Sequence, residues 1–180
     1  MNLKASETEK NLFKTFAGES RARNKYTFYA DKARADGFVY VGDIFDETAG
    51  NEKAHAREVY KRFLGRVSDT KNNLIESALG EAADSKVIYK EFEDTARDEG
   101  FNEIADFYKE LQEVEGHHKE RFLALAKDIK DGTIFTSDEE TEWLCLNCGY
   151  IYEGTKAPMR CPLCEYPRAY FKKLDNKHCK

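Results

Sequence analysis

The sequence predicts a mainly α protein, a four-helix bundle followed by a small metal-bound domain, and three observations carry that prediction. Apolar residues in the first 130 positions recur at steps of three and four, the period of an amphipathic helix. Each of the four stripes so formed has a carboxylate near its middle. All three prolines and four of the five cysteines fall between Cys145 and Pro167, while the first 142 residues contain no proline. Composition therefore changes sharply before residue 143, and a second kind of structure begins there.

The stripes can be followed in order. The first runs Leu12, Phe16, Glu19, Arg23, Tyr26, Ala30, and the second Val41, Phe45, Thr48, Glu52, His55, Val59. The third runs Leu74, Ala78, Glu81, Ser85, Ile88, Phe92, and the fourth Ile104, Tyr108, Leu111, Glu115, His118, Phe122, Leu125, Ile129. Breaks are expected at Asp36-Gly37, between Gly65 and Asn73, and at Glu99-Gly100. Asp131-Gly132 stops the last helix, and the run Thr136-Ser137-Asp138-Glu139-Glu140 reads as a polar connection. The expected division is a bundle over 1–135, a linker over 136–142 and a cysteine domain over 143–180.

The two halves of the bundle share a plan. Gly18-Glu19, Gly37-Phe38 and Glu52-x-x-His55 are echoed by Gly80-Glu81, Gly100-Phe101 and Glu115-x-x-His118, with steps of 19 and 14 residues against 20 and 14. Two helical hairpins built alike follow from that echo.

Bulk properties bound the function. A chain of 180 residues with 41% hydrophobic content is long enough for a buried core. Two C-x-x-C pairs without an apolar N-terminal stretch point to a cytoplasmic chain that uses thiols as ligands. Mean hydropathy of −0.76 and the lack of an apolar run of about 18 residues argue against a membrane span. A net charge of −5 argues against nucleic acid or an anionic membrane as the main partner. The charge is uneven, since residues 143–180 hold seven Lys/Arg and three Asp/Glu.

A carboxylate on an apolar seam must lose its charge, find a partner or bind metal, because burying it bare costs several kcal/mol by rough estimate. Here four seams supply Glu19, Glu52, Glu81 and Glu115, and two of them add His55 and His118 three residues on, on the same helix face. Four carboxylates with two imidazoles suit a pair of iron or manganese ions and are too acidic for structural zinc. One Glu from each of two helices with Glu-x-x-His from the other two is the di-iron carboxylate pattern of helical bundles. Taken singly, each Glu is an ordinary helix former beside a stripe; four together call for a metal. Gly18, Gly80 and Gly116 adjoin these donors and are expected to relieve crowding. Tyr26 and Tyr89 are candidates to donate hydrogen bonds to ligand carboxylates. His117 and His178 are expected to be exposed.

Cys145-x-x-Cys148 and Cys161-x-x-Cys164 can close a tetrahedral four-thiolate site for iron or zinc. Trp143, Tyr150, Tyr152 and Phe171 around them favour iron in an apolar electron-transfer setting. Cys179 is expected to be a bystander.

Residues 16–29, 49–58, 79–92, 111–123 and 143–171 resemble the rubrerythrin family. The resemblance is carried by Gly18-Glu19-Ser20, Glu52-x-x-His55, Gly80-Glu81, Glu115-x-x-His118, Trp143-x-Cys145-x-x-Cys148-Gly149-Tyr150 and Cys161-Pro162-x-Cys164. It implies a ferritin-like bundle with two non-haem irons and a β-rich, rubredoxin-like domain with one iron on four cysteines. The implied activity is an NADH-linked peroxidase that reduces hydrogen peroxide to water. Electrons would come from an NADH-dependent reductase or a rubredoxin-type donor and pass through the thiolate iron. A ferroxidase using the same bundle site is the alternative. The resemblance also implies a further Glu three residues after Glu81. This chain has Asp84 there, one methylene shorter, which leaves its ligation open.

Chain length bears on assembly. In a ferritin-like bundle the second and third helices run parallel, so the return from one to the other is roughly 30 Å. Residues 65–73 span that only when fully extended. A homodimer is expected, with exchanged helix pairs as one solution and a monomeric bundle with antiparallel second and third helices as the other.

Overall fold

The computed structural model describes residues 3–83 and 87–174. Asp84, His178 and Cys179 lie outside the described residues. The chain divides into two compact units, Met1–Ser68 and Asp69–Lys180.

The first unit is a helical hairpin of α1 (Glu7–Ala35) and α2 (Val39–Arg57), with a π-helical segment, Glu58–Phe63, continuing α2. Ser6 caps α1 by accepting the Glu9 N–H, while the Glu9 carboxylate accepts the Ala5 N–H. Gly37, at φ +87°, takes the left-handed turn that ends α1 and reverses the chain. Small residues set the helix spacing: Ala30, Ala33, Gly42, Ala49 and Ala56 are all buried. A Cβ on Gly42 would sit 3.1 Å from the Ala30 carbonyl oxygen, so the backbones approach closely here. Arg34 ties the turn by donating to Asp43 at 2.8 Å and Asp46 at 2.6 Å. At the other end the Phe16 and Tyr60 rings stack at 4.5 Å.

The second unit begins with α3 (Thr70–Ala83), α4 (Tyr89–Asp98) and α5 (Asn102–Asp131). Its turn repeats the first: Gly100 has φ +85°, the Phe101 N–H bonds Ala96 O as Phe38 bonds Ala33 O, and Arg97 reaches Asp106 as Arg34 reaches Asp43. The expected third helix is divided, with π-helical backbone at Val87–Ile88. The reason is one extra residue. From Glu19 to Tyr26 is seven positions, from Glu81 to Tyr89 eight, and from there to His118 the two hairpins match at a constant offset of 63. A π turn absorbs one residue more than an α turn and returns the helix to phase.

After Gly132 in the left-handed conformation closes α5, the chain enters a three-stranded antiparallel sheet. Its order is β2 (Ile151–Lys156), β1 (Thr136–Cys145), β3 (Phe171–Lys173). Residues 136–142, expected as a linker, form the first part of β1, pairing Thr136 with Lys156 and Thr141 with Gly154. Their acidic side chains face solvent, which is why the run reads as a connection. Trp143, Cys145, Ala157, Cys161 and Phe171 form the buried core of this sheet. The Trp143 indole N–H donates to Gly154 O at 2.9 Å. The fold class is the expected one, mainly helical with a small C-terminal sheet.

Candidate metal centres

Among the described residues three clusters of potential ligands form, and each gathers residues that the sequence separates. In the first hairpin Glu19 on α1 meets Glu52 and His55 on α2, one donor atom from each lying within 4.8 Å of the others. His55 Nδ1 is 3.0 Å from Glu52 Oε2 and 3.4 Å from Glu19 Oε2. The hydrogen bond with Glu52 raises the pKa of Glu19 above its ordinary value, with burial and the Glu52 charge adding. Glu52 is lowered by the bonds it accepts from Glu19 and His55, and His55 is raised by Glu52 and then Glu19. Two carboxylates and an imidazole set this close, with one carboxylate raised by the other, make an oxygen-rich site that a cation suits.

The second hairpin repeats the cluster with Glu81 on α3 and Glu115 and His118 on α5, again within 4.8 Å. His118 Nδ1 is 2.8 Å from Glu115 Oε2. In both hairpins the imidazole presents Nδ1 to the glutamate three residues before it, so the i, i+3 spacing yields the same pairing twice. Both triads therefore fit hard, oxygen-rich metal binding. Among the described residues, a Cβ at Gly18, Gly80 or Gly116 meets no atom within 4 Å, so the expected crowding is not seen within one chain. Tyr26 packs its ring against Phe45 and Tyr29, and Tyr89 against Tyr108 and Phe92. His117 is exposed, as expected.

The third cluster is Cys145, Cys148, Cys161 and Cys164. Two C-x-x-C knuckles form it with one geometry. Cys145 N–H bonds Tyr150 O and Gly149 N–H bonds Cys145 O; Cys161 N–H bonds Tyr166 O and Glu165 N–H bonds Cys161 O. The residue after each knuckle is left-handed, Gly149 at φ +77° and Glu165 at φ +58°. Sγ–Sγ distances are 3.8 Å for Cys145–Cys164 and 3.7 Å for Cys148–Cys161. Tetrahedral bonds of about 2.3 Å to a central metal require edges of about 3.8 Å, so the sulfurs stand at ligand spacing. The Tyr166 amide and then Asn147 lower Cys164 to about 6 against the opposing effect of burial. At Cys148 the Tyr150 amide acts in the same sense, but burial and the neighbouring thiols carry it up to about 12. Asn147, whose side-chain amide donates to Cys164 Sγ at 3.5 Å, was missed in the sequence. A polar residue between two cysteines is the only signal it gives. Trp143 and Phe171 are buried against the cluster with Tyr150 and Tyr152 packed on them.

Among the described residues no helix is long and apolar enough to cross a membrane.

Comparison with known proteins shows the family to which the chain belongs. The family model described as Rubrerythrin matches residues 10–126 and again 72–143, and that of the rubrerythrin, rubredoxin-like domain matches 143–172. The second match to the first model opens near the start of α3, as a repeated hairpin plan requires. The cofactors that follow are two non-haem irons for the helical part and one iron for the four cysteines, and the donors present fit both. Rubrerythrin of Nitratidesulfovibrio vulgaris is 44% identical over 96% of this chain and 97% of its own. Rubrerythrin-1 of Clostridium acetobutylicum is 41% identical over 98% and 99%, and rubrerythrin of Porphyromonas gingivalis 39% identical over 98% and 94%. Similarity of this depth across nearly the full length of both partners means that the chain belongs to the rubrerythrin family, di-iron oxidoreductases of oxidative-stress defence.

Proposed function

We propose that this protein is a peroxidase that reduces hydrogen peroxide to two waters, taking two electrons from NADH by way of a reductase or rubredoxin-type donor. The observation that supports it most is the duplicated triad, Glu19–Glu52–His55 and Glu81–Glu115–His118, each with Nδ1 on its carboxylates. In this reading the two triads hold one iron each, and Cys145, Cys148, Cys161 and Cys164 hold the third. Iron held by these residues would supply two-electron chemistry toward peroxide, which would avoid release of a hydroxyl radical. Glu19, Glu52, Glu81 and Glu115 would offset the charge of the bound metals and hold them in place for peroxide. Tyr26 and Tyr89 are assigned to orient carboxylates. The cysteine cluster receives electrons singly and passes them on. A cytoplasmic location belongs to the same proposal, since four reduced thiols are needed to ligate iron.

The test combines metal content with NADH-driven peroxide consumption by the iron-loaded protein and a generic reductase. Three irons per chain with rapid peroxide turnover is the expected result. Slow peroxide turnover beside fast oxidation of ferrous ion would move the assignment to iron handling.

A further inference from the structure

We propose that a groove of the first hairpin, between α1 and the end of α2, binds a nucleoside monophosphate, an anion whose phosphate is carried on a planar aromatic body.

The groove lies beside the metal donors and apart from them. Ser20, Lys53 and Ala56 line it, and each directly follows a donor, Glu19, Glu52 or His55. One residue is about 100° of helix rotation, so the groove and the donors occupy different faces of the hairpin. Its volume is about 380 Å³, within the range of small-molecule sites. The floor is apolar: the half-buried rings of Phe16 and Tyr60 stack at 4.5 Å, Ala56 is buried beside them, and Val67 adds an open apolar side chain.

The rim is cationic. Arg23 lines it from α1, and Lys53, Arg57 and Lys61 line it from α2 and its π-helical continuation, all four exposed. The last three follow one another at four-residue steps, a row of about 12 Å in which like charges repel. Little offsets them. Among the described residues neither Lys53 nor Lys61 has a carboxylate at ion-pair distance, and Arg57 has Glu58 alone, Nε lying 3.9 Å from Oε1. Arg23 donates to a neutral group, Asn24 Oδ1, at 3.3 Å. An anion in the groove relieves this repulsion.

The second hairpin shows that the helices do not need these charges. At the constant offset of 63, Lys53 corresponds to Gly116 and Arg57 to Glu120, while the donors around them, Glu52 with Glu115 and His55 with His118, are kept. The backbone differs at the same place. Tyr60 and Lys61 belong to the π-helical segment Glu58–Phe63, whereas α5 is α-helical from Asn102 to Asp131. Such π segments are frequent at functional sites. Charge gathers here too, since residues 1–68 hold 13 Lys/Arg and 10 Asp/Glu in a chain of net charge −5.

Floor and rim together select the class of ligand. A bare anion leaves the aromatic floor unused, and a neutral ring leaves the cations unpaired. A planar base meets the rings of the floor and the guanidinium planes of Arg23 and Arg57, which stand on opposite helices and stack well on aromatic faces. The phosphate takes charge-assisted hydrogen bonds from Lys53 and Lys61.

Titration calorimetry of the full-length, iron-loaded protein tests this in buffer containing excess inorganic phosphate, which occupies any simple anion contact. Adenosine monophosphate is expected to bind once per chain and about tenfold or more tighter than adenosine. Arg57→Glu with Lys61→Glu is expected to weaken it about tenfold or more. Lys14→Glu with Arg21→Glu makes the same charge change at exposed positions of α1 outside the groove and is expected to leave the affinity within about twofold. Far-UV circular dichroism checks that each variant is helical, and Arg57→Gln with Lys61→Gln repeats the measurement should charge reversal unfold the chain. Absence of binding at millimolar adenosine monophosphate overturns the proposal, as does adenosine binding equally well. Equal losses in the two double Glu variants overturn it by assigning the effect to net charge. Displacement of the nucleotide by a short polyglutamate peptide at equal concentration overturns it in favour of an acidic protein segment. Peroxide turnover is not read, so the outcome stands apart from the peroxidase reading.

Discussion

Gln112 donates its side-chain amide to Glu93 Oε2 at 3.0 Å, joining α5 to α4 at positions where the first hairpin has Ala49 and Ala30. Glu93 is buried and also receives Arg97 at 3.1 Å. Both alanines are buried too, so one architecture is held by a polar bridge in one repeat and by close packing in the other. Gln112→Ala leaves a buried carboxylate oxygen short of a donor and is expected to lower the Tm by several degrees. Adding Glu93→Ala installs the alanine pair of the first hairpin, and the double variant is expected to lose less than the sum of the two single ones. Thermal melts of the four proteins make the cycle; additive losses would show that the pair is uncoupled.

The same carboxylate has a pH signature. The Gln112 hydrogen bond, with Arg97 and Lys90 adding to it against burial, holds the Glu93 pKa below its ordinary 4.5. A lowered folded-state pKa means that ionised Glu93 stabilises the fold above pH 4.5 and that this stability is lost as pH falls through the lowered value. The Tm gap between wild type and Glu93→Gln is therefore expected to be constant well above pH 4.5 and to close as the pH falls below 4.5. A gap that persists at pH 3 would assign the effect to packing.

Much of this was legible beforehand because the donors obey short spacings. Glu-x-x-His fixes two ligands on one helix face, and two C-x-x-C pairs fix a four-thiolate cluster, whatever surrounds them. The turns were legible through Gly37, Gly65 and Gly100, which all have positive φ. Less visible was the division of the third helix, since a π turn preserves the apolar stripe on either side of it. Its one trace was the step of 20 residues against 19. The strand over 136–142 escaped because its acidic side chains face solvent and only backbone pairing marks it. The Glu93–Gln112 bridge escaped for another reason: attention to carboxylates as metal donors passed over one that is satisfied by an amide. Aligning the two repeats would have exposed it as a charge at a buried alanine position.

Electron delivery through the cysteine cluster makes a separable prediction. Cys161 is buried in the core of the small domain and contributes one of the four sulfurs. Cys161→Ser is expected to retain the helices and a single turnover of pre-reduced protein with peroxide. Sustained NADH-coupled turnover should fall at least tenfold, a barrier change of about 1.4 kcal/mol or more. Undiminished steady-state turnover would mean that electrons enter by another route.

The knuckles differ where their geometry does not. Gly149 takes its left-handed conformation freely, but Glu165 takes the same one with a side chain, at a cost of roughly 1 kcal/mol. Glu165→Gly relieves that strain and gives back part of it through a more flexible unfolded chain. The expected result is a gain of up to about 1 kcal/mol in the stability of the metal-loaded small domain, measured as a slower loss of metal to a chelator on heating. Gly149→Ala is the mirror experiment and should speed that loss.

The π turn at Val87–Ile88 gives the most direct test of how the repeats are related. If it exists to house one extra residue, deleting Val87 restores the seven-position interval that separates Glu19 from Tyr26. The helix then regains uninterrupted i to i+4 bonding with Tyr89 and Phe92 still on the face that packs against Tyr108. Val87 is 64% exposed, so its loss removes little buried surface. The deletion variant is expected to show slightly greater far-UV helicity and a Tm at or above that of wild type. A variant that loses both Tm and helicity would show that α3 and α4 are packed around the π turn, and that the extra residue has become a fitted part of the second hairpin.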